Sequence, residues 1–298
     1  MISILIPTYN FNTYPLVQEL YKQAVMENID FEIIVADDAS PINENTAANS
    51  NINELKNCRF ERHENNLGRS QNRNLLVSKA KYEWVLLMDC DMFPKSKNFI
   101  KIYLNSLKQN EQKAIFGGLI YFDEKPKDDE VLRWIFGKNR EEIPLKKRLS
   151  SPYHYTLISN ILLKKELLIK NPFDKEILQY GYEDIVFILG LKNNHIPIAH
   201  IENPAFHLNL EKSAIFLDKF HYSLQNLKFI IDKKIIVPED TALTKTFAKL
   251  ERLNLIGLTA FFFKIFKKFL TKNLLSKNPS IFLFDLYRLG YFCQINTR

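Results

Sequence analysis

Residues 84–94 read Trp84-Val-Leu-Leu-Met-Asp-Cys-Asp-Met-Phe-Pro94, an apolar run that ends in two carboxylates one residue apart and then in a proline. Five consecutive apolar side chains suit a strand buried on both faces, as in a parallel sheet. Carboxylates at the end of such a strand are costly unless something positive meets them. In an extended chain, residues two apart point to the same side, so Asp89 and Asp91 would face one ligand together. Two hard oxygen donors at that spacing suit Mn²⁺ or Mg²⁺ held by few protein groups and by substrate phosphates. The plainer alternative is a pair of turn aspartates that accept backbone N–H groups.

Working outward, Ile2–Pro7 and Phe31–Ala36 are two further short runs rich in β-branched residues. Between them Val17, Leu20, Tyr21, Ala24 and Val25 recur at helical spacing, with Asn12 and Thr13 placed to cap and Pro15 in the first turn. The alternation continues with a helix over 44–55, a strand over 58–62, a helix over 69–80, the strand 84–88, a helix over 99–108 and a strand over 114–122. This order predicts an α/β sheet, mostly parallel, with helices on both faces. From Asp123 to Ser150 fifteen of 28 residues are charged, which predicts an exposed loop or short helices around the apolar island 131–136. An extended run near 156–163, a helix over 183–193 and a strand over 196–201 follow. After His207 the pattern is helical, with Leu217, Phe220, Leu224, Leu227 and Ile231 on one face.

Open α/β sheets bind ligands beyond the carboxyl ends of their strands. Three strands here end in reactive sequences that would share one edge: Pro7-Thr-Tyr-Asn10, Ala36-Asp-Asp-Ala-Ser40 and Met88-Asp-Cys-Asp91. With Asn65-Asn-Leu-Gly-Arg-Ser-Gln-Asn-Arg-Asn74 and Gly181-Tyr-Glu-Asp184, these come in the order and spacing of family 2 glycosyltransferases. The chain resembles that family over about residues 1–210. The resemblance implies a GT-A fold, a nucleotide-sugar donor, a divalent metal and inversion at the anomeric carbon.

Placed residue by residue, the resemblance implies that Pro7, Thr8, Tyr9, Asp37 and Asp38 hold the base and ribose. Asn66, Gly68, Arg69 and Arg73 would lie near the diphosphate, where a helix N-terminus and arginine favour an anion. Asp89 and Asp91 would hold the metal, with His207 as a further ligand and His200 and His195 as lesser candidates. Asp184 would be the general base, supported by Glu183. Read without the resemblance, Glu183 and Asp184 are first-turn carboxylates that favour a helix dipole. Gln71-Asn72 stands where the family carries a small residue, and Ser159-Asn160 matches an acceptor-lining segment without its glycines.

The formal charge is +7, and nine Lys and Arg between residues 245 and 288 stand against Glu251 and Asp285 alone. Within this stretch Leu253–Phe263 is uncharged over eleven residues, short of the roughly 20 a bilayer span needs. A helix rich in Phe, Leu and Lys suits an anionic membrane surface. It would equally suit packing on the catalytic domain or on a second copy in a homodimer. Basic residues interleaved with apolar ones argue against nucleic acid.

Cys58, Cys90 and Cys293 lie far apart with no zinc spacing, and no leader-like segment precedes the first strand. Both point to a reducing, cytoplasmic site, and the basic tail would suit a peripheral position at the inner face of a bacterial membrane. The expected product is a glycosyltransferase domain over 1–210 and a helical region over 211–298. It would move a sugar from a UDP-sugar to a hydroxyl of a glycan or lipid-linked acceptor in bacterial surface polysaccharide synthesis. A nucleotidyltransferase that forms sugar nucleotides shares the sheet and metal, but would show a glycine-rich loop after the first strand, where Pro7–Pro15 has no glycine. A non-catalytic glycan- or nucleotide-binding protein is the third reading.

Overall fold

A computed structural model describes residues 1–109, 112–177 and 180–297. Among them the strands are β1 (Ile2–Thr8), β2 (Phe31–Asp37), β3 (Cys58–Arg62), β4 (Trp84–Met88), β5 (Met92–Pro94), β6 (Ala114–Phe116), β7 (Leu119–Ile120), β8 (Asn160–Lys164), β9 (Ala199–His200) and β10 (Ala205–His207). They form a seven-stranded sheet in the order β3-β2-β1-β4-β8-β6-β9 and a three-stranded sheet β5-β10-β7. In the large sheet β8 runs antiparallel to β4 and β6, and the remaining pairings are parallel. The mixed, mostly parallel sheet expected from the sequence is therefore present.

Helices α1 (Tyr14–Met26), α2 (Glu44–Ser50), α3 (Arg69–Lys79) and α4 (Phe99–Gln109) alternate with the first strands. The central residues of β1, β2 and β4 are buried at every position. A strand alternates its side chains between two faces, so burial at each position means that both faces are covered. Leu5, Ile34, Leu76, Leu87, Phe116 and Ile161 belong to one fully buried cluster on this sheet.

The run 114–122, expected as one strand, is two. Gly117 and Gly118 break it between β6 and β7, which lie in different sheets. Gly118 has φ +94°, and a Cβ on Gly117 would sit 2.5 Å from both Asn203 O and Tyr103 Oη. The chain turns here through space that no side chain can share.

The charged segment 123–150 holds short helices, α5 (Val131–Arg140) and α6 (Leu145–Ser150), followed by α7 (Pro152–Tyr155). Next come α8 (Lys165–Lys170), α9 (Glu183–Asn193), α10 (Ser213–Asp232), α11 (Ala242–Arg252), α12 (Ile256–Leu274) and α13 (Ile281–Asn296).

The chain packs as two compact units: Met1–Tyr121, Glu141–Leu178 and Phe187–Asn209 in one, Phe122–Arg140, Gln179–Val186 and Leu210–Arg298 in the other. The sequence suggested a single cut at residue 210; the packing also draws 122–140 and the start of α9 into the helical unit. That unit is built on an apolar cluster that includes Leu132, Phe216, Leu217, Phe263, Phe284 and Tyr287. No helix among the described residues is long and apolar enough to cross a membrane.

Candidate active site

The parallel register fixes which residues meet at the edge of the large sheet. Thr8 pairs with Asp37, and Leu5 with Leu87, so β1, β2 and β4 end together. Because β8 is antiparallel, its first residue Asn160 lies opposite Met88 at the same edge. The Thr8 hydroxyl at the end of β1 lies beside the Cys90 thiol that follows β4. Burial, with Asp91 beside it, pushes that thiol up to about 12.

Asp89 and Asp91 do not sit on an extended segment. The Met92 amide donates to Asp89 O at 3.1 Å, closing a turn that leads from β4 into β5. A turn thus replaces the extended segment expected at 89–91, and each carboxylate has its own partner. Asp89 Oδ1 accepts from Arg73 Nη2 at 2.9 Å. Arg73 comes from α3 and is almost fully buried, its guanidinium 5.2 Å from the centroid of the Phe173 ring. Burial alone would raise the Asp89 carboxyl; the guanidinia of Arg73 and Arg69, with His207, hold it below the usual carboxylate range.

Asp91 faces His207, with 3.5 Å between Oδ2 and Nε2. The small sheet sets this approach: His207 of β10 pairs with Met92 of β5, and the Leu208 amide donates to Asp91 O at 2.8 Å. The imidazole stacks on Tyr121 with ring centroids 5.3 Å apart. The Tyr121 hydroxyl in turn bonds Glu141, and its amide bonds Glu142 at 2.8 Å. Tyr121, Glu141 and Glu142 were missed in the sequence because only tertiary structure brings the charged segment back to β10.

Asp37 and Asp38 are both buried and both bonded to backbone. Asp37 Oδ1 accepts from the Ser40 amide at 2.7 Å, the turn role that its Asp-Asp-Ala-Ser setting allows. Asp38 accepts from the amides of Leu67 at 2.7 Å and Gly68 at 2.9 Å, while Asn66 Nδ2 donates to Asp38 O at 2.8 Å. The Asn66–Gly68 loop is thus tied to the end of β2. Each carboxylate retains lone pairs beyond these bonds.

Gly68, at φ +80°, opens α3, whose first turn carries no side-chain cap. Arg69 is exposed there, and the Ser70 hydroxyl is buried with no partner. Tyr9 is 56% exposed at the end of β1. Thr8 accepts from Thr13 Oγ1 at 3.0 Å, and the Asn10 amide donates to Ser40 Oγ at 2.7 Å, so the first two loops brace each other.

Asn160 is wholly buried. Its amide nitrogen donates to Gly118 O at 2.7 Å and Asn203 O at 3.0 Å, and its Oδ1 accepts from Tyr103 Oη at 2.7 Å. Ser159 O accepts from the Asp89 amide at 3.2 Å, and the Ser159 hydroxyl is buried without a partner. His200 is a packed core residue: it bonds Thr156 at 3.1 Å, and burial followed by Arg148 drives it down to about 4. His195 sits in a turn at φ +54°.

In the helical unit, Gly181 at φ +97° and Tyr182 at φ +72° turn the chain into α9. A Cβ on Gly181 would stand 2.6 Å from Ser223 Cβ, and Asn226 bonds Gly181 O, so this turn lies against α10. Glu183 is buried, whereas Asp184 is half-buried. Among the described residues no three His, Cys, Asp or Glu side chains converge as a preformed metal cage.

A family profile described as "Glycosyl transferase family 2" matches residues 3–170. Chondroitin synthase of Pasteurella multocida (strain Pm70) is 26% identical over 215 residues, 62% of this chain and 22% of that protein. Glycosyltransferase GlyG of Streptococcus pneumoniae serotype 4 is 29% identical over 126 residues, 42% of this chain and 40% of that one. The chain therefore matches only about a fifth to two fifths of the length of these relatives.

Among solved structures, the mannosyltransferase PcManGT from Pyrobaculum calidifontis, in complex with GDP-Man and Mn²⁺, superposes with TM-score 0.53 at 14% identity, covering 78% of this chain and 64% of that one. Glucosyl-3-phosphoglycerate synthase from Mycobacterium tuberculosis, in complex with Mn²⁺, UDP and glucosyl-3-phosphoglycerate, gives 0.51 at 16% identity, covering 76% and 78%. These likenesses support the GT-A fold, and the profile spans more than half of the 298 residues: the chain belongs to glycosyl transferase family 2.

Proposed function

We propose that the chain transfers a sugar from a nucleotide-sugar, a UDP-sugar by family resemblance, to a hydroxyl of a glycan or lipid-linked acceptor, with inversion. The observation that carries this reading is the Asp91–His207 pair, set 3.5 Å apart at the sheet edge beside an aspartate already neutralised by Arg73. Ligand atoms of one divalent cation with bonds of about 2.1 Å lie roughly 3–3.5 Å apart, so this pair fits one coordination shell. A carboxylate with an imidazole suits Mn²⁺ better than Mg²⁺, which favours oxygen donors. Asp91 and His207 would hold the ion directly, and Asp89 would contribute through the charge balance it sets with Arg73. A bound ion would stabilise charge on the departing diphosphate.

The chain's own groups supply the rest. Tyr9 offers an exposed ring for the base, and the remaining lone pairs of Asp38 can accept from a ribose or base donor. The uncapped first turn of α3, with Arg69 and the unpartnered Ser70 hydroxyl, offers donors to the diphosphate. Asp184 accepts the proton of the acceptor hydroxyl as its oxygen bonds the anomeric carbon and the bond to the diphosphate oxygen breaks. Of the two acids that open α9, Asp184 is the one that solvent reaches.

The names of the relatives, which include chondroitin synthase and hyaluronan synthase, support a glycan acceptor and a role in bacterial surface polysaccharide synthesis. The test is nucleoside diphosphate release from a panel of UDP- and GDP-sugars with mixed glycan acceptors, with and without Mn²⁺. Metal-dependent release from one donor, lost in Asp91→Ala and Asp184→Asn, is the expected result. Donor binding without release under every condition would leave only a binding protein.

A further inference from the structure

Helix α12 presents two apolar faces, and one of them is covered. Ala260, Phe263, Leu270 and Leu274 are buried. Phe263 packs edge-on against Tyr287, with centroids 5.2 Å apart, and so tightly against α13 that a Cβ on Gly290 would come within 2.6 Å of its ring. The helix is thus anchored in its own unit by residues unconnected with its outer face.

On that outer face Leu258, Phe261, Phe262, Ile265, Phe266 and Phe269 are 48–62% exposed. They follow the spacing i, i+3, i+4, i+7, i+8, i+11, which is a single helical stripe. At 1.5 Å per residue it runs for about 17 Å. Scattered exposed apolar residues need no explanation, but a contiguous stripe with four phenylalanines marks an interaction surface.

Charge selects the occupant. Lys264, Lys268 and Lys272 recur every four residues and so form a row along one margin of the stripe, and all three are exposed. The sequence of α12 contains no Asp or Glu. Pairing this face with its own copy would set lysines against lysines with no carboxylate from either helix between them. An anionic lipid surface answers both features at once, because acyl chains take the rings and headgroup phosphates take the ammonium groups. Burying the stripe in a second copy would also put long, strongly hydrated lysine side chains at the edge of an apolar contact, where interfaces are depleted of them.

We infer that the outer face of α12 lies in the plane of an anionic membrane surface, with its phenylalanine stripe toward the acyl chains and Lys264, Lys268 and Lys272 at the headgroups. This rests on the helical unit alone and stands whether or not the sheet edge transfers sugar. It accounts for a helix that is strongly apolar and basic yet does not qualify as a membrane span.

The test is flotation of the full chain with neutral phosphatidylcholine vesicles and with vesicles carrying about 30% phosphatidylglycerol, alongside sedimentation velocity without lipid. The parent is expected to float with the anionic vesicles only. Raising salt to about 1 M, where the screening length is about 3 Å, should release it. Lys264→Ser/Lys268→Ser/Lys272→Ser should lower partitioning about 100-fold, from roughly fivefold per lysine. Phe262→Ser/Phe266→Ser should lower it at least about tenfold. Both variants should melt as the parent does, since the altered side chains are exposed.

Failure to float, or flotation that neither variant weakens, overturns the inference. A concentration-dependent dimer abolished by Phe262→Ser/Phe266→Ser, without vesicle binding, also overturns it and gives the face to a second copy.

Discussion

The carboxyl edge of the large sheet and the outer face of α12 use opposite economies of contact. At the sheet edge many functional-looking polar groups already have partners: Asp37 has Ser40, Asp38 has Leu67 and Gly68, Asp89 has Arg73, and Asn160 has Gly118, Asn203 and Tyr103. On α12 large rings lie against solvent, with about half or more of their surface open. A polar site is rigid when its groups are mutually satisfied, and it works through the few that remain open. An apolar surface acts through what it leaves uncovered. In the first region changes should therefore separate into loss of chemistry and loss of fold; in the second they should touch neither.

The largest effect is expected at the two carboxylates to which the proposed function gives the chemistry. Asp91→Ala should lower turnover about 10³-fold or more, and Asp184→Asn about 10²–10⁴-fold, the range for removing a general base. Both should leave the melting temperature nearly unchanged, because neither carboxylate is fully buried. His207→Ala should weaken apparent Mn²⁺ affinity in a titration of activity against metal more than it lowers the rate at saturating metal. If Asp91→Ala unfolds the protein instead, the division between working and holding residues at this edge collapses.

Next come the satisfied groups. Asn160→Ala takes the donor from buried Asn203 O and one of two partners from Gly118 O and from the Tyr103 hydroxyl, which keep the Ala205 amide and the carbonyl of residue 160, and should cost about 1–3 kcal/mol in urea unfolding. Arg73→Met leaves Asp89 without its cation and should cost about 3 kcal/mol. Gly117→Ala should be comparably damaging, since the atom it meets at 2.5 Å includes backbone Asn203 O, which cannot swing away. A loss below about 1 kcal/mol in Asn160→Ala would show that the edge is less tightly locked than its bonds imply.

These expectations divide at the point where the sequence stopped being readable. β1, β2, β4 and helices α1, α3, α4 and α9 announce themselves because their periodicity is local, and buried parallel strands read as unbroken apolar runs. The sheet β5-β10-β7 does not, since its strands are two or three residues long and pair with partners 86 or more positions away. That sheet is what turns Asp91 toward His207, and the turn it demands sends Asp89 to Arg73. The pair of aspartates was legible; the turn between them and the partner of each were not. In the same way Tyr121, Glu141 and Glu142 carry no motif, and only the small sheet gives Tyr121 its place against His207. On α12 the stripe and the lysine row could be read directly, but which of its apolar faces was covered depended on Phe263 meeting Gly290.

A smaller effect tests the interior of the sheet through pH. His200 is driven down to about 4 by burial, next to Arg148, and bonds Thr156. An unfolded histidine titrates near 6.5. Between these values the unfolded chain binds the proton and the folded one does not, so stability is full above about pH 6.5 and falls as pH drops toward 4. The loss should reach about 3 kcal/mol by pH 4. In His200→Gln the slope of stability against pH over this window should flatten by that amount, measured by urea midpoints at pH 7, 5.5 and 4.5.

The smallest effect belongs to the other side of the comparison. Leu87→Ala, at a position wholly buried in β4, should cost about 2–5 kcal/mol. Phe266→Ser removes a larger side chain from α12 and should change stability by less than about 0.5 kcal/mol, since the ring already meets water in the folded chain and surface changes are near neutral. The two substitutions delete apolar groups of similar kind, so their difference measures coverage. A cost for Phe266→Ser approaching that of Leu87→Ala, in dilute protein without lipid, would mean that the ring is covered by its own chain in solution. The outer face of α12 would then belong to the fold, and the membrane contact inferred from it would lose its surface.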